Sequence, residues 1–272
     1  MALRDLLKNK LIDKELNLVP TSFDIIGNKE KAVAIIELPD ELKKRQEIAN
    51  ALMKQHKNVR SVLLKKSPRS GVYRTMKLRL IAGDKNTVVT HSESGCRFLL
   101  DPRKVYFSPR ESAERMRIAE KVKSDETVMV FFAGIGPFAI VIAKKSKLKK
   151  VIGIEINPAA VKYFKKNAKL NKIEAEIVKG DVRNAAKRFY GSCDRVIMPL
   201  PETSIDYLEE AINCLKCDGI IHYYCFAEED KINEVKKRIQ AKTRKKIEFI
   251  ETKKVLPYGP RIWKYRIDFV VK

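Results

Sequence analysis

The chain has 272 residues, 44% of them hydrophobic, enough for one large core or two modest ones. Its 57 Lys and Arg against 34 Asp and Glu leave a net charge of +23, a field that attracts polyanions; a merely heat-adapted surface would balance its lysines with glutamates. No apolar stretch approaches a membrane span, and "MALRDLLKNKLIDKEL" lacks the apolar run of a secretory signal, so a soluble, cytoplasmic protein is expected. In chain order, "SFDIIGNKEKAVAIIEL" reads as strand, turn and strand. "DELKKRQEIANALMKQH" opens on an acid cap and continues with helical periodicity. "VRSVLLKK", "KLRLIAGD" and "TVVTHSESGCRFLLDP" supply short strands, with "SPRSGVYRT" a basic loop between the first two. These elements predict a small α+β domain over 1–98.

The pattern changes after residue 98. "SPRESAERMRIAEKVK" reads as a helix with Ser108 as N-cap and Pro109 in its first turn. Strand 126–133, helix 137–147, strand 150–155, helix 158–171 and strand 174–178 follow. Then come a turn at "GDVRNAAKRF", strand 194–198, helix 203–216, strand 219–225, a helix in "EEDKINEVKKRIQAKT" and strands near 247–255 and 262–271. Strands alternating with helices predict a doubly wound, mostly parallel sheet over 99–272, closed by an antiparallel C-terminal edge. Five scattered cysteines argue against a disulfide framework. The "CLKC" at 214–217 lies late in a helix, where no helix dipole lowers a thiol pKa, so core or surface thiols are expected. The three histidines show no metal-ligand spacing, and no metal is expected.

In "VFFAGIGPFAIVIAKKSKLKKVIGIEINP", Gly134 and Gly136 let the backbone turn tightly and approach a ligand. The third glycine of a dinucleotide fingerprint is absent. Glu155, ending the next strand 21 residues after Gly134, can accept both hydroxyls of a ribose. Asp181, after the third strand, is placed to accept from an adenine amino group. Nucleoside recognition without a full pyrophosphate fingerprint favours S-adenosylmethionine over a nicotinamide dinucleotide.

Together "KVYFSPRESAER", "FFAGIGPFAI", "GIEINPAAVKYFKKNAKLN", "GDVR", "IMPLPETS", "GIIHYYCF" and "PYGPRIWKYRIDFVV" resemble the archaeal and eukaryal tRNA guanine-37 N1-methyltransferases, over roughly 15–272. That group also holds the wybutosine aminocarboxypropyl transferases, and "GIGPF" is similar to its methyltransferase branch. The resemblance implies a Rossmann-like class I methyltransferase domain preceded by the small α+β domain. It also implies S-adenosylmethionine as cofactor and tRNA as partner through its anticodon loop; a monomer is expected. Many archaeal members carry a further N-terminal domain that grips the outer corner of tRNA, and this chain is expected to begin after it.

Guanine N1 carries a proton and needs a base nearby, with a cation or donor near O6. The resemblance implies Glu114 as that base and Arg74 as the O6 partner; taken by spacing alone, Glu114 is an ordinary solvated helix residue. It places Tyr106, Arg110, Phe132, Gly134, Gly136, Glu155, Asp181 and Pro199 around the cofactor, with Tyr106 packing by the cofactor or the target base. Arg74, Pro201, Tyr258 and Arg261 are assigned to RNA, the last two because aromatics and cations at a strand entrance stack and hold a splayed anticodon. Several members have asparagine where Pro199 stands, and often an acid where Val130 stands. The rival readings are aminocarboxypropyl transfer, methylation of another RNA guanine, and RNA binding without catalysis on a methyltransferase scaffold.

Overall fold

Short β-branched runs and amphipathic helices set the architecture of residues 3–272, which the structure, a computed structural model, describes. The chain divides into two compact units between Pro109 and Arg110. In the first, α1 (Asp13–Leu18) precedes β1 (Asp24–Gly27), β2 (Ala32–Ile36), α2 (Arg45–Gln55), β3 (Val59–Lys65) and β4 (Leu78–Gly83). The sheet order is β1-β2-β3-β4, with β2 and β3 parallel because α2 carries the chain across, and the outer pairs antiparallel. Its core joins Leu7, Leu42, Ile48, Leu52 and Val62. A separate hairpin, β5 (Val89–Glu93) and β6 (Cys96–Leu100), turns through Ser94 and Gly95, both left-handed as a tight two-residue turn requires.

The second unit opens with α3 (Ser112–Lys121) and β7 (Thr127–Val130). It alternates through α4 (Pro137–Lys145), β8 (Lys150–Glu155), α5 (Pro158–Asn171), β9 (Glu176–Lys179), α6 (Val182–Ala185), β10 (Cys193–Met198), α7 (Leu208–Cys214), β11 (Leu215–Glu228), α8 (Ile232–Ala241), β12 (Ile247–Gly259) and β13 (Ile262–Val271). Strand order is β12-β13-β11-β10-β7-β8-β9, parallel from β11 to β9 and antiparallel at β13 and β12. The expected sheet with its antiparallel C-terminal edge is therefore present. One face carries the large apolar core, where Phe131, Ile154, Val196, Tyr223 and Phe269 meet Leu208 and Ile212 of α7 and Ile239 of α8. No helix of the described residues is long and apolar enough to cross a membrane.

Several local expectations are corrected. "DVRNAAKRF" is not a turn: Asp181 caps α6 by accepting from Arg183 N–H at 2.8 Å, and a 3-10 turn continues through Ala186–Phe189. The helix expected over 203–216 is a 3-10 turn, Ser204–Tyr207, followed by α7, which stops at Cys214 because Leu215 already pairs with Cys193 in the sheet. Ser108 does not cap α3, which begins at Ser112 behind a 3-10 turn over Pro109–Glu111. The helix opened by Asp40 starts five residues later, and Asp40 pairs with Arg45 instead.

Candidate active site

Open parallel sheets bind ligands beyond the carboxyl ends of their strands, where the order of connection reverses. Here that point lies at the end of β7, between β10 and β8. The chain leaves β7 through Phe132, Gly134 and Gly136, all in left-handed conformation at φ +52°, +57° and +89°. A side chain at φ > 0 is uncommon, and Phe132 is held there by edge-on packing at 4.9 Å against Tyr207. The two glycines serve different ends. A Cβ on Gly136 would lie 2.2 Å from the Phe164 ring, whereas one on Gly134 would meet no atom within 4 Å. Gly136 lets α4 and α5 close up; Gly134 borders space.

Glu155 ends β8 beside that space. Its Oε2 accepts from Gly134 N–H and its Oε1 from Asn157 N–H, both at 2.7 Å. Burial raises its pKa, and the backbone donors at Asn157, Gly134 and Ile156 offset only part of the rise. These backbone donors fix the carboxylate in place, and its two oxygens have acceptor capacity beyond them. Asn157 in turn caps α5 through Ala159 N–H. Gly180 N–H donates to the Glu155 carbonyl at 3.0 Å, bringing Asp181 to the neighbouring strand end, half-exposed. After β10, the "MPLP" turn holding Pro199 and Pro201 is drawn together by buried Ser204, whose hydroxyl donates to the Met198 and Leu200 carbonyls.

Glu114 is not a solvated helix residue. It is 1% exposed, with Oε1 accepting from Arg266 Nη1 at 2.7 Å and from Tyr224 O–H at 2.8 Å. Its Oε2 accepts from Arg117 Nη1 at 2.8 Å, and the Arg117 side chain is 40% exposed. Burial pushes this carboxyl up, but the Arg266 charge and the hydrogen bonds from Tyr224, Arg266 and Arg117 outweigh it and hold the pKa below the ordinary value. Arg110, by contrast, is exposed in the turn leading into α3.

The sequence reading missed most of what surrounds Glu114. Lys264, Arg266 and Asp268 of β13 share one face, directly across from Phe226, Tyr224 and His222 of β11. Three charged residues at alternate positions in an interior strand are the signal that could have shown it, since such positions are ordinarily apolar.

In the first unit, Arg74 is half-buried and left-handed (φ +53°), with its N–H on the Gly71 carbonyl at 3.1 Å. With Ile26, Met76, Val105 and Tyr106 it lines a small cavity. The Arg69 guanidinium lies over the Tyr106 ring at 4.2 Å. At the β12–β13 hairpin, Tyr258 is 58% exposed and stacks on Phe226 at 3.8 Å, while Arg261 occupies the left-handed turn. The thiols at Cys214 and Cys225 are pushed up to about 12 by burial, and only Cys217 is exposed.

Residues 89–250 match the TRM5/TYW2 methyltransferase domain and residues 3–87 the TYW2 N-terminal domain. The tRNA (guanine(37)-N(1))-methyltransferase Trm5b of Pyrococcus abyssi is 43% identical over 259 residues, covering 93% of this chain and 76% of the relative. The crystal structure of wild-type Trm5b from that organism superimposes with a TM-score of 0.86 at 41% identity, over 96% of this chain and 78% of that one. The complex of aTrm5 with tRNALeu matches at TM-score 0.85 and 32% identity, over 100% of this chain and 78% of that one. With this sheet, this glycine turn and these matches, the chain belongs to the TRM5/TYW2 family of class I methyltransferases.

Proposed function

We infer that this protein is a tRNA methyltransferase that transfers a methyl group from S-adenosylmethionine to N1 of guanosine 37. The observation that carries the reading is the presence in one domain of the glycine turn with its backbone-held Glu155 and of a buried glutamate, Glu114, hydrogen-bonded to Arg266. The turn fits the cofactor: Gly134 leaves room for a ligand, and Glu155 is an immobile acceptor suited to a sugar diol. The family resemblance assigns Phe132, Gly136, Asp181, Pro199, Tyr106 and Arg110 to the same cofactor set. When bound, the cofactor supplies a methyl group activated on a sulfonium.

Glu114 takes the proton of guanine N1. It need not be a strong base, because N1–H becomes far more acidic as the nitrogen acquires the methyl; it need only be ionised and in place. Oε1 already accepts two hydrogen bonds, so Oε2 receives the proton once the half-exposed Arg117 swings aside. Arg74 supplies positive charge to O6 as negative charge gathers there. Tyr258 stacks against an anticodon-loop base and Arg261 holds phosphate, while Pro201 helps shape the turn against the target base. The cytoplasm is the compartment and the monomer the working unit.

Transcripts carrying G or A at position 37, incubated with labelled cofactor, test this directly. Label only on G37, found as 1-methylguanosine, is expected; equal labelling of both rejects the assignment. The match of residues 3–87 to a TYW2 N-terminal domain favours one second reading, aminocarboxypropyl transfer to a wyosine precursor. The mass of the product nucleoside separates the two.

A further inference from the structure

The polar face of β11 and β13 forms one continuous buried chain that ends on Glu114. At its far end Glu126 accepts from Arg195 Nε at 2.8 Å and from its Nη2 at 2.9 Å. Arg195 Nη1 donates to His222 Nε2 at 2.6 Å. A guanidinium can only donate, so Nε2 is the unprotonated nitrogen and Nδ1–H donates to Asp268 Oδ1 at 2.7 Å. That same oxygen accepts from Arg266 Nε at 2.9 Å. Arg266 then reaches forward, donating through Nη1 to Glu114 at 2.7 Å and through Nη2 to Glu251 at 2.5 Å. Arg195, His222, Asp268, Arg266 and Glu114 are each no more than 2% exposed.

Burying so many charges is costly, and a well-packed apolar strand would stabilise the fold as well or better. A network of this kind is explained better by what it orients than by what it stabilises. We propose that Arg266 is a positioning residue for methyl transfer: clamped from behind by Asp268 and, through His222, by Arg195, its guanidinium holds Glu114 by Oε1 and leaves Oε2 as the oxygen that takes the proton. The inference rests on the reading of Glu114 as the base. The planar fork is essential, since only a guanidinium donates to Asp268, Glu251 and Glu114 at fixed angles to one another.

The groups facing Glu114 agree with this role. Arg117 lies on its own helix, and Tyr224 of β11 and Arg266 of β13 touch it. Lys264 of β13 sits over the Tyr224 ring at 4.9 Å and pairs with Glu111 at 3.0 Å. The apolar Phe138 ring of α4 lies 6.0 Å from that of Tyr224. Arg266 is the largest charge opposing the burial that would otherwise neutralise Glu114. Without it the carboxyl is protonated at higher pH, so activity is lost first at the acid end.

The test compares single-turnover methyl transfer by wild type, Glu114→Gln, Arg266→Met and Arg266→Lys between pH 6 and 8, with cofactor affinity measured by calorimetry on each. Glu114→Gln is expected to lose roughly a hundredfold or more at every pH, a general base being worth about 10²–10⁴. Arg266→Met is expected to bind cofactor as wild type does, while its ratio of rates at pH 8 to pH 6 exceeds that of wild type by about fivefold or more. Arg266→Lys keeps the charge but not the fork, and about a tenfold lower rate with unchanged KM for tRNA is expected; this variant decides the matter if the methionine variant does not fold. Wild-type rates and pH ratio in a cofactor-binding Arg266 variant, with Glu114→Gln inactive, overturn the positioning role alone. Full activity in Glu114→Gln overturns the reading beneath it.

Discussion

A carboxylate that receives two sugar hydroxyls has to be held still and kept nearly dry, and Glu155 meets both conditions through Gly134 N–H and Asn157 N–H. Glu155→Gln preserves shape but turns an amide N–H₂ toward one of those donors. Calorimetry should show cofactor affinity weakened by about 1.5–3 kcal/mol, the worth of a hydrogen bond to a charged group. Because burial raises this pKa, the carboxyl protonates at higher pH than an ordinary glutamate; wild-type affinity should therefore begin to fall while the pH is still above 4.5. The two glycines of the turn make a contrasting pair. Gly136→Ala drives a methyl into Phe164, and a loss of about 1–3 kcal/mol in thermal stability is expected. Gly134→Ala meets no neighbouring atom, so beyond about 1–2 kcal/mol of left-handed strain its effect should appear in cofactor affinity.

Among the elements, β13 does most to define the second unit. Its Tyr265, Ile267 and Phe269 join the apolar core, while Arg266 and Asp268 of the opposite face belong to the polar chain and Lys264 beside them pairs with Glu111. A one-residue slip would exchange the two sets, so the strand's register is strongly specified. Near the end of the hairpin it forms with β12, Tyr258 stacks on Phe226 of β11. Tyr258→Ala should weaken tRNA binding by about 1–3 kcal/mol in a filter assay while leaving cofactor affinity unchanged. Element boundaries are legible in some places where local chemistry sets them, although the cap residues Ser108 and Asp40 mislead at α3 and α2. α5 runs Pro158–Asn171 as read, because Asn157 caps it and Pro158 suits its first turn. α7 was read too long because pairing of Leu215 with β10 ends it, and that partner lies outside any local window.

At the scale of the molecule, a net charge of +23 makes tRNA affinity salt-dependent. Raising salt from about 50 to 200 mM should weaken tRNA binding by roughly tenfold or more, and cofactor binding far less, since a single nucleoside releases few counterions. Acid acts on the polar chain instead. The pKa values of Glu114 and Asp268 are held below their ordinary 4.5 and 3.8, burial being outweighed by Arg266 in the first and by His222 and Arg266 in the second. For carboxyls lowered on folding, the stabilisation is complete above those ordinary values and is lost as the pH falls through the lowered ones. Thermal melts should therefore show the chain's contribution intact at pH 6 and falling only below about pH 4.5.

From residue order alone came the alternating strands and helices, the glycine turn after β7 and the acid ending β8, because each depends on neighbours within a few dozen positions. The burial of Glu114 could not be read that way. Its partners Tyr224 and Arg266 lie 110 and 152 residues further along the chain, and only the antiparallel pairing of β13 beside β11 brings them to one side of α3. A glutamate and an arginine in sequence are solvated by default; long-range sheet register makes this pair a dry, aligned one, because each charge leaves water at tolerable cost only together with the other.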